Sequence, residues 1–448
     1  MTTSALHVFT GPTLPAARAH GLAPQAVLHP PAKHGDMLRL GAAEGDVVVL
    51  IDGLWHQAAP VRHKEILMLL DYGVTVLGAA SMGALRAAEL ATYGMLGAGA
   101  IYHAFLDGGL QRDDEVAVLH TPDGIQTTEA LVNLRTAVRR ARRGRQLSEQ
   151  EAAALEAVAA DLPYTGRTWR AFARAAESAG LHGAFARLNV WRRAHPWSLK
   201  REDAEHALHK AAGLAAHRPG GGAWQNEAWR TSFTRYWASA YTPTSRDRPP
   251  LLALLRHQQL YDPDFPFRWR ARVLAAVAGV RADTPGLETK AAAAAAQRGL
   301  HLQALTDAQR GFWLTDTEAH ALEVTEQTAR ILVRSACWDG AWNVWPATVD
   351  EAVGLLDDDQ ATAETVTTCL RRNAAVARAD PRHTIDRLDS RRIAQHLAAR
   401  WNLPADADER ARDAVTRDRG MRSFAAAVET ARAFYLTERT KLTVTETC

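Results

Sequence analysis

The feature that most constrains the fold is an alternation of short apolar runs and helical patterns in the first part of the chain. The runs Leu6–Thr10, Val47–Ile51 and Val74–Leu77 are rich in β-branched residues, and small or polar turn residues follow each one. Apart from His7, Thr10 and Thr75 they are apolar rather than alternating, as expected for strands that are covered on both faces. The helical patterns around them are Leu14–His20, Val61–Leu70 and Gly83–Leu90. The alternation predicts a parallel sheet with right-handed crossovers, from about residue 5 to about residue 120.

After about residue 125 the pattern becomes helical. A chain of 448 residues exceeds what one hydrophobic core usually supports, so several domains are expected. Capping boxes that predict helix starts pair Ser148 with Glu151, Thr306 with Gln309 and Thr315 with Glu318. The best linker candidate is Arg218–Gly222. We therefore predict an α/β fold class, with an N-terminal parallel-sheet α/β core at 1–146, a helical extension of it at 147–217, and a mostly α-helical C-terminal accessory domain at 223–448.

Composition excludes several classes of protein. The formal charge of +3 gives no reason to expect nucleic-acid binding. No window holds the roughly 20 consecutive apolar residues of a membrane helix, and the N-terminus lacks the pattern of a signal peptide. The cysteines Cys337, Cys369 and Cys448 are too few and scattered for a disulfide framework or a zinc site, as in a reducing compartment. We predict a cytoplasmic protein that has no membrane segment and needs neither metal nor cofactor.

The most informative segment is Val74–Met95, in which a predicted strand runs through Ala79-Ala80-Ser81 directly into a helix. This pattern is a variant of the nucleophile elbow, with alanine where the first glycine often stands. Ser81 could be the nucleophile, with the Met82 and Gly83 amides as oxyanion donors. It could also be a plain N-cap, or part of an anion cradle without covalent chemistry.

Candidate partners for Ser81 lie at the ends of the neighbouring predicted strands, because sites in parallel α/β sheets form outside the carboxyl ends of strands. Asp52 is either a turn residue or a group that orients a partner. Lys64 or His63, near the start of the next helix, could act as the general base. The alternatives are a surface ion pair for Lys64 and a structural hydrogen bond for His63.

Two further groups of charged residues are ambiguous. Arg86 could bind a substrate carboxylate, or pair with Glu89 three residues on. The acidic cluster Asp113-Asp114-Glu115 could bind a divalent cation, but its spacing favours a solvated turn. An apolar run and His120 follow this cluster.

These same segments resemble the TfuA-like family, partners of YcaO enzymes. The resemblance covers residues 8–134. Its motifs are Phe9–Pro12, Leu50–Gly53, His63–Leu67, Gly78–Leu90, Tyr93–Met95 with Gly97 and Gly99, and Asp113–Ala117. It implies a role in forming thioamides on ribosomally made peptides, where a YcaO protein activates a backbone amide and the TfuA-like partner helps to supply sulfur. The implied partners are a YcaO protein, a ThiS-like sulfur-carrier protein with a C-terminal thiocarboxylate, and possibly the precursor peptide.

The leading hypothesis is hydrolysis of that thiocarboxylate to release sulfide, with Ser81 as nucleophile, Lys64 or His63 as base, and Asp52 orienting. The predicted substrate-binding residues are Gly11, Thr13, Gly53, Met82, Gly83 and Arg86. A persulfide relay would need a cysteine, and the predicted α/β part contains none. The alternative is a non-catalytic adaptor that binds the carrier and presents it to YcaO.

Overall fold

The computed structural model describes residues 4–55, 58–121, 124–217, 231–245, 248–337, 360–379 and 384–445. The chain divides into two compact units, Met1–Trp229 and Arg230–Cys448. The predicted linker Arg218–Gly222 lies outside the described residues. Among the described residues, none of the helices has both the length and the apolar character needed to span a bilayer.

The first unit is built on a five-stranded parallel sheet, which confirms the predicted α/β fold with a helical C-terminal region. Its strands are β1 (Leu6–Phe9), β2 (Val27–His29), β3 (Val47–Leu50), β4 (Thr75–Ala79) and β5 (Leu96–Ala98), in the order β2-β1-β3-β4-β5. The sequence predicted β1, β3 and β4. It did not predict the edge strands β2 and β5, which are three residues long and carry too little apolar patterning to stand out.

Helices cover both faces of this sheet. In the first unit they are α1 (Ala16–Leu22), α2 (Asp36–Arg39), α3 (His63–Asp71), α4 (Met82–Glu89), α5 (Ala100–Leu106), α6 (Leu131–Arg143), α7 (Glu149–Ala160), α8 (Trp169–Ser178), α9 (His182–Ala194) and α10 (Leu199–His217). Val48 and Leu50 of β3 pack with α3, whereas Val47 and Val49 pack with α10. Because both faces are covered, the strand is apolar at every position.

Helix α10 closes one face of the sheet although it lies far along the chain from the strands. Ala204, Ala207 and Leu208 are fully buried in the same cluster as Val49 and Ala80. Small side chains on α10 allow the helix to approach the sheet closely.

The helices α6 to α9 form a separate apolar cluster around Leu134, Leu155 and Phe172. The predicted capping box at the start of α7 is confirmed. The Glu151 amide donates to Ser148 Oγ at 3.2 Å, and the Ser148 amide donates to Glu151 Oε2 at 2.9 Å.

The second unit is helical apart from a short antiparallel pair of strands, β6 (Pro243–Ser245) and β7 (Arg248–Pro250). Its described helices are Ser232–Tyr241, Leu251–Tyr261, Phe265–Ala278, Leu287–Gln297, Asp307–Trp313, Asp316–Ala321, Val324–Ser335, Gln360–Ala379, Ser390–Arg400, Glu409–Arg417 and Phe424–Thr445. Thr306 with Gln309 and Thr315 with Glu318 form the predicted capping boxes.

Candidate active site

A sharp turn joins β4 to α4 and places Ser81 at its tip. The Ser81 amide donates to the Ala79 carbonyl at 2.7 Å, which closes a γ-turn centred on Ala80. Ala80 has a φ of 66°, a conformation that costs a residue other than glycine about 1 kcal/mol or more. Strain of this kind persists where the surrounding packing enforces it, and it is concentrated at functional sites.

Glycines allow the helix to lie against the strands at this turn. A Cβ on Gly83 would lie 1.7 Å from the Leu50 carbonyl oxygen, and a Cβ on Gly78 would lie 2.0 Å from the Gly83 oxygen. The Gly83 amide donates to the Ile51 carbonyl at 3.2 Å. Gly83 therefore permits close packing, and its amide is already occupied rather than free for an oxyanion. Of the two predicted oxyanion donors, the Met82 amide is the one that donates to no acceptor within the described part of the chain.

The Ser81 hydroxyl is not used to cap the helix. Ser81 occupies the N-cap position of α4, but its side chain makes no capping hydrogen bond. The residue is 8% exposed, and it contributes to the wall of a cavity. The plain N-cap interpretation therefore does not describe this serine, whose side chain faces a space that could hold a ligand.

Asp52 organises the loop after β1. Its carboxylate accepts hydrogen bonds from the amides of Gly11 (2.9 Å) and Thr13 (3.0 Å) and from Thr13 Oγ1 (2.6 Å). Asp52 is 3% exposed, so these bonds replace the solvation that burial removes. These bonds fix the Gly11–Thr13 loop, and the role of Asp52 as the group that orients a catalytic partner stays a prediction. We predicted that Gly11 and Thr13 bind substrate; their amides donate to Asp52, and substrate binding by these residues stays a prediction.

The cavity next to Ser81 has a volume of about 190 Å³. It lies outside the carboxyl ends of the strands, where sites form in doubly wound sheets, and β1 and β3 flank the switch point of this strand order. Its wall includes Pro12, Asp52, Gly53, Trp55, Ser81, Asp113, Asp114, His120 and Tyr164.

His120 is the titratable nitrogen base in this wall. Its Nδ1 lies 2.9 Å from the Thr121 carbonyl oxygen. Because a carbonyl oxygen only accepts, we assign the proton of the neutral ring to Nδ1, which leaves a lone pair on Nε2. A histidine held in this tautomer can accept a proton at Nε2. The sequence placed His120 after the apolar run but gave it no role, since its proximity to Ser81 depends on the fold.

Arginines fix the acidic part of the wall. Arg167 is fully buried and donates to the Asp114 carbonyl oxygen and to its carboxylate, both at 2.8 Å. Burial raises the pKa of Asp114, but hydrogen bonds from Arg167 and Arg112 outweigh burial and lower it overall. Glu115 pairs with Arg135 at 2.5 Å. Among the described residues, no three His, Cys, Asp or Glu side chains are grouped to hold a metal ion.

Lys200, on α10, places a buried cation behind the same wall. It is 2% exposed, and its Nζ donates to the Val116 carbonyl at 2.9 Å. Burial lowers its pKa, against the opposing charges of Asp52 and Glu129. We did not predict Lys200 from the sequence, although it begins the buried stripe that continues through Ala204, Ala207 and Leu208. A lysine on the apolar stripe of a helix was the signal that could have found it.

Part of the chain that contains this site is similar to a known protein family. Residues 52–168 match the family model described as TfuA-like protein. The chain carries a TfuA-like region. The comparison with curated proteins gave no match. The TfuA-like region contains Asp52, Ser81 and His120, whereas Gly11, Thr13 and Lys200 lie outside it.

Other predicted residues of the TfuA-like region lie apart from the cavity wall. His63 Nε2 is 2.8 Å from Glu89 Oε2, and Arg86 also pairs with Glu89, at 2.5 Å. Arg86 additionally donates to the Val61 carbonyl at 3.2 Å, so the interpretation of Arg86 as a partner of Glu89 is confirmed. Lys64, like His63 and Arg86, is not among the residues that line the cavity. Gly53 does line it, and a Cβ there would lie 2.2 Å from Met82 Sδ.

Proposed function

We propose that this protein releases sulfide from the C-terminal thiocarboxylate of a ThiS-like carrier, for use by a YcaO protein in forming peptide thioamides. The TfuA-like region supports the sulfur-transfer setting. The observation that supports this chemistry is the strained turn at Ala80. It presents the Ser81 hydroxyl, which makes no capping hydrogen bond to the helix, to a cavity that His120 also lines.

The first step is acyl transfer. Ser81 Oγ attacks the thiocarboxylate carbon, and His120 Nε2 takes the hydroxyl proton. The Met82 amide stabilises the oxyanion, helped by the N-terminal end of α4. When the tetrahedral intermediate collapses, the C–S bond breaks and sulfide leaves with the proton from His120. The product is an ester of the carrier on Ser81.

The second step is hydrolysis of that ester. His120 accepts a proton from water, and the resulting hydroxide attacks the ester carbon. The Ser81 oxygen leaves and recovers its proton, and the carrier departs with a C-terminal carboxylate. Atoms balance with one water consumed and one sulfide released, and no electrons are transferred.

His120 is the base that we favour over the two predicted from the sequence. Its tautomer leaves Nε2 unprotonated, and it shares the cavity with Ser81. His63 is engaged by Glu89, and Lys64 is not part of the cavity wall. Lys64 and His63 stay predictions that the same assay tests.

Asp52 and Lys200 have supporting roles in this proposal. Asp52 keeps the Gly11–Thr13 loop in place at one side of the cavity. Lys200 holds the Val116 carbonyl, next to the wall residues that end in His120. Neither residue needs to exchange a proton with the substrate.

The test is sulfide release from a thiocarboxylated carrier by the intact chain and by single variants. Ser81→Ala should abolish release above background, and His120→Gln should lower it by roughly 10²–10⁴-fold, the usual contribution of a general base. His63→Gln is the matched control, since it changes a histidine outside the cavity, and it should retain release.

Mass spectrometry of the His120→Gln protein after mixing should show the carrier attached to Ser81 if deacylation is slowed. Equal release by the Ser81→Ala protein would contradict the nucleophile assignment. If neither the intact chain nor the Ser81→Ala protein releases sulfide but both bind the carrier, the adaptor alternative replaces this proposal.

A further inference from the structure

A second concave site lies in the helical part of the first unit. It has a volume of about 320 Å³ and is lined by residues of α6, α8, α9 and the start of α10. The residues that matter here are Trp169, Trp191 and Trp197, with Arg192, Arg193 and Arg201; we call them the Trp–Arg groove. None of the cavity residues near Ser81 contributes to it.

Two arginines and a histidine already cover the indoles of the groove. The guanidinium of Arg140 lies 3.3 Å from the ring centroid of Trp197, and that of Arg192 lies 3.9 Å from the centroid of Trp169. Trp191 stacks on His195 with ring centroids 4.7 Å apart. This packing holds the side chains in place, so a ligand meets a preformed surface of indoles and guanidinium groups.

The protein neutralises only part of the positive charge of the groove: the lining holds four arginines against one carboxylate, Glu129, and Arg140 also pairs with Glu202 at 3.1 Å. Within the described part of the chain, Arg193 and Arg201 make no ion pair, and Arg192 Nε donates to the neutral Asn189 side chain at 3.0 Å. Burial and the neighbouring charge of Arg193 lower the pKa of Arg192, as expected where cations crowd together. The acidic lining residue, Glu129, already accepts a hydrogen bond from Asn133 at 2.8 Å.

The lining chemistry selects among anionic ligands. It includes no glycine, serine or threonine, the residues whose amides and hydroxyls usually cradle phosphate. A nucleobase would have to displace Arg140, Arg192 or His195 to stack on the indole face that each covers. Carboxylates can pair with the arginines from the rim without such displacement, while an apolar side chain packs against the indole edges.

We propose that the Trp–Arg groove binds an acidic polypeptide segment of a protein partner, with its carboxylates on Arg192, Arg193 and Arg201 and an apolar side chain against the indoles. This inference is independent of the proposed hydrolysis, because it concerns binding at a separate site.

The experiment uses the full chain and a fluorescein-labelled peptide, Asp-Glu-Phe-Glu-Asp, followed by fluorescence anisotropy. Its neutral analogue, Asn-Gln-Phe-Gln-Asn, should bind at least about tenfold more weakly. The variant Arg192→Gln/Arg193→Gln should weaken the acidic peptide about tenfold. The matched control is Arg170→Gln/Arg174→Gln, which removes the same charge from exposed positions of α8 and should change the Kd less than about twofold.

A second variant separates the groove from general electrostatic attraction. Trp197→Leu keeps the charge of the protein and should still weaken binding several-fold, since tryptophan contributes strongly at interfaces. Equal binding of the two peptides, or equal losses in the groove and control variants, would overturn the proposal. Stronger competition by a single-stranded oligonucleotide or by ATP than by unlabelled acidic peptide would overturn it too.

Discussion

The electrostatic relation between Asp52 and Lys200 gives the most demanding prediction. Both side chains are almost fully buried, and neither belongs to a direct ion pair in the described part of the chain. The Asp52 charge nevertheless acts on Lys200, where it opposes the effect of burial on the pKa. A change of charge at Asp52 should therefore affect Lys200 across the wall of the cavity.

The magnitudes follow from the contacts. Asp52→Asn makes three charge-assisted hydrogen bonds neutral, at a cost of about 1 kcal/mol each and so about 3 kcal/mol of unfolding free energy. It also removes one of the two carboxylate charges that oppose the effect of burial on the Lys200 ammonium, the other being that of Glu129. Lys200→Met removes that ammonium and should cost less, since buried charges are often replaced by apolar groups with little loss. In the double variant the buried cation is absent, so we expect it to be more stable than the sum of the single effects predicts, by about 1–3 kcal/mol.

The assay is native-state hydrogen exchange with mass spectrometry, read from peptides that cover β1 and β3. Hydrogen exchange reports the opening free energy of each peptide separately, so the stability of the second unit does not affect the values read from β1 and β3. A Lys64→Met variant serves as control for removing a lysine outside the cavity wall. Additivity of Asp52→Asn and Lys200→Met within about 0.5 kcal/mol would refute the reasoning. So would a Lys200→Met protein that is destabilised as much as Asp52→Asn.

Three further predictions concern stability. Gly83→Ala should destabilise the first unit by about 3 kcal/mol or more, because its Cβ would overlap a backbone oxygen, and calorimetry would show this as a lowered transition temperature. Because the pKa of Asp114 is lowered in the folded protein, its carboxylate stabilises the fold above its unfolded pKa near 3.8, and this stabilisation is lost as pH falls through the folded pKa. Asp114→Asn should therefore reduce the pH dependence of the unfolding free energy in that range, which acid unfolding curves would show. Arg334→Met should lower the unfolding free energy of the second unit by about 3–5 kcal/mol, because the Arg334 side chain is 1% exposed and holds the pKa of Glu318 at about 2. Chemical denaturation combined with hydrogen exchange would measure this loss.

How much the sequence could predict depended on whether a feature was local. Strands β1, β3 and β4 were predicted because buried parallel strands are continuously apolar over four or five residues. The turn at Ser81 was predicted because small residues surround it on both sides. The capping boxes were predicted because their two residues lie three apart, and they were confirmed.

Features that depend on chain segments far apart were not predicted. Lys64 and His63 lie near the start of α3, and the sequence around them does not show that His63 contacts Glu89. His120 comes near the cavity of Ser81 only through the wall that Arg167 anchors. The Gly83 amide looked free because its acceptor, the Ile51 carbonyl, belongs to a different strand segment.

The position of Lys200 shows that the candidate site also depends on distant segments of the chain. The region that matches the TfuA-like family ends at residue 168, yet the wall of its cavity is held from behind by a side chain of α10 and at one side by the Gly11–Thr13 loop. Since α10 also buries Ala80, the residue that carries the strain of the turn, the geometry of Ser81 depends on a helix outside the matched region. The unit that the proposed catalysis requires is therefore the whole α/β layer with α10, and residues 52–168 alone would lack both the charge behind the wall and the packing that enforces the turn.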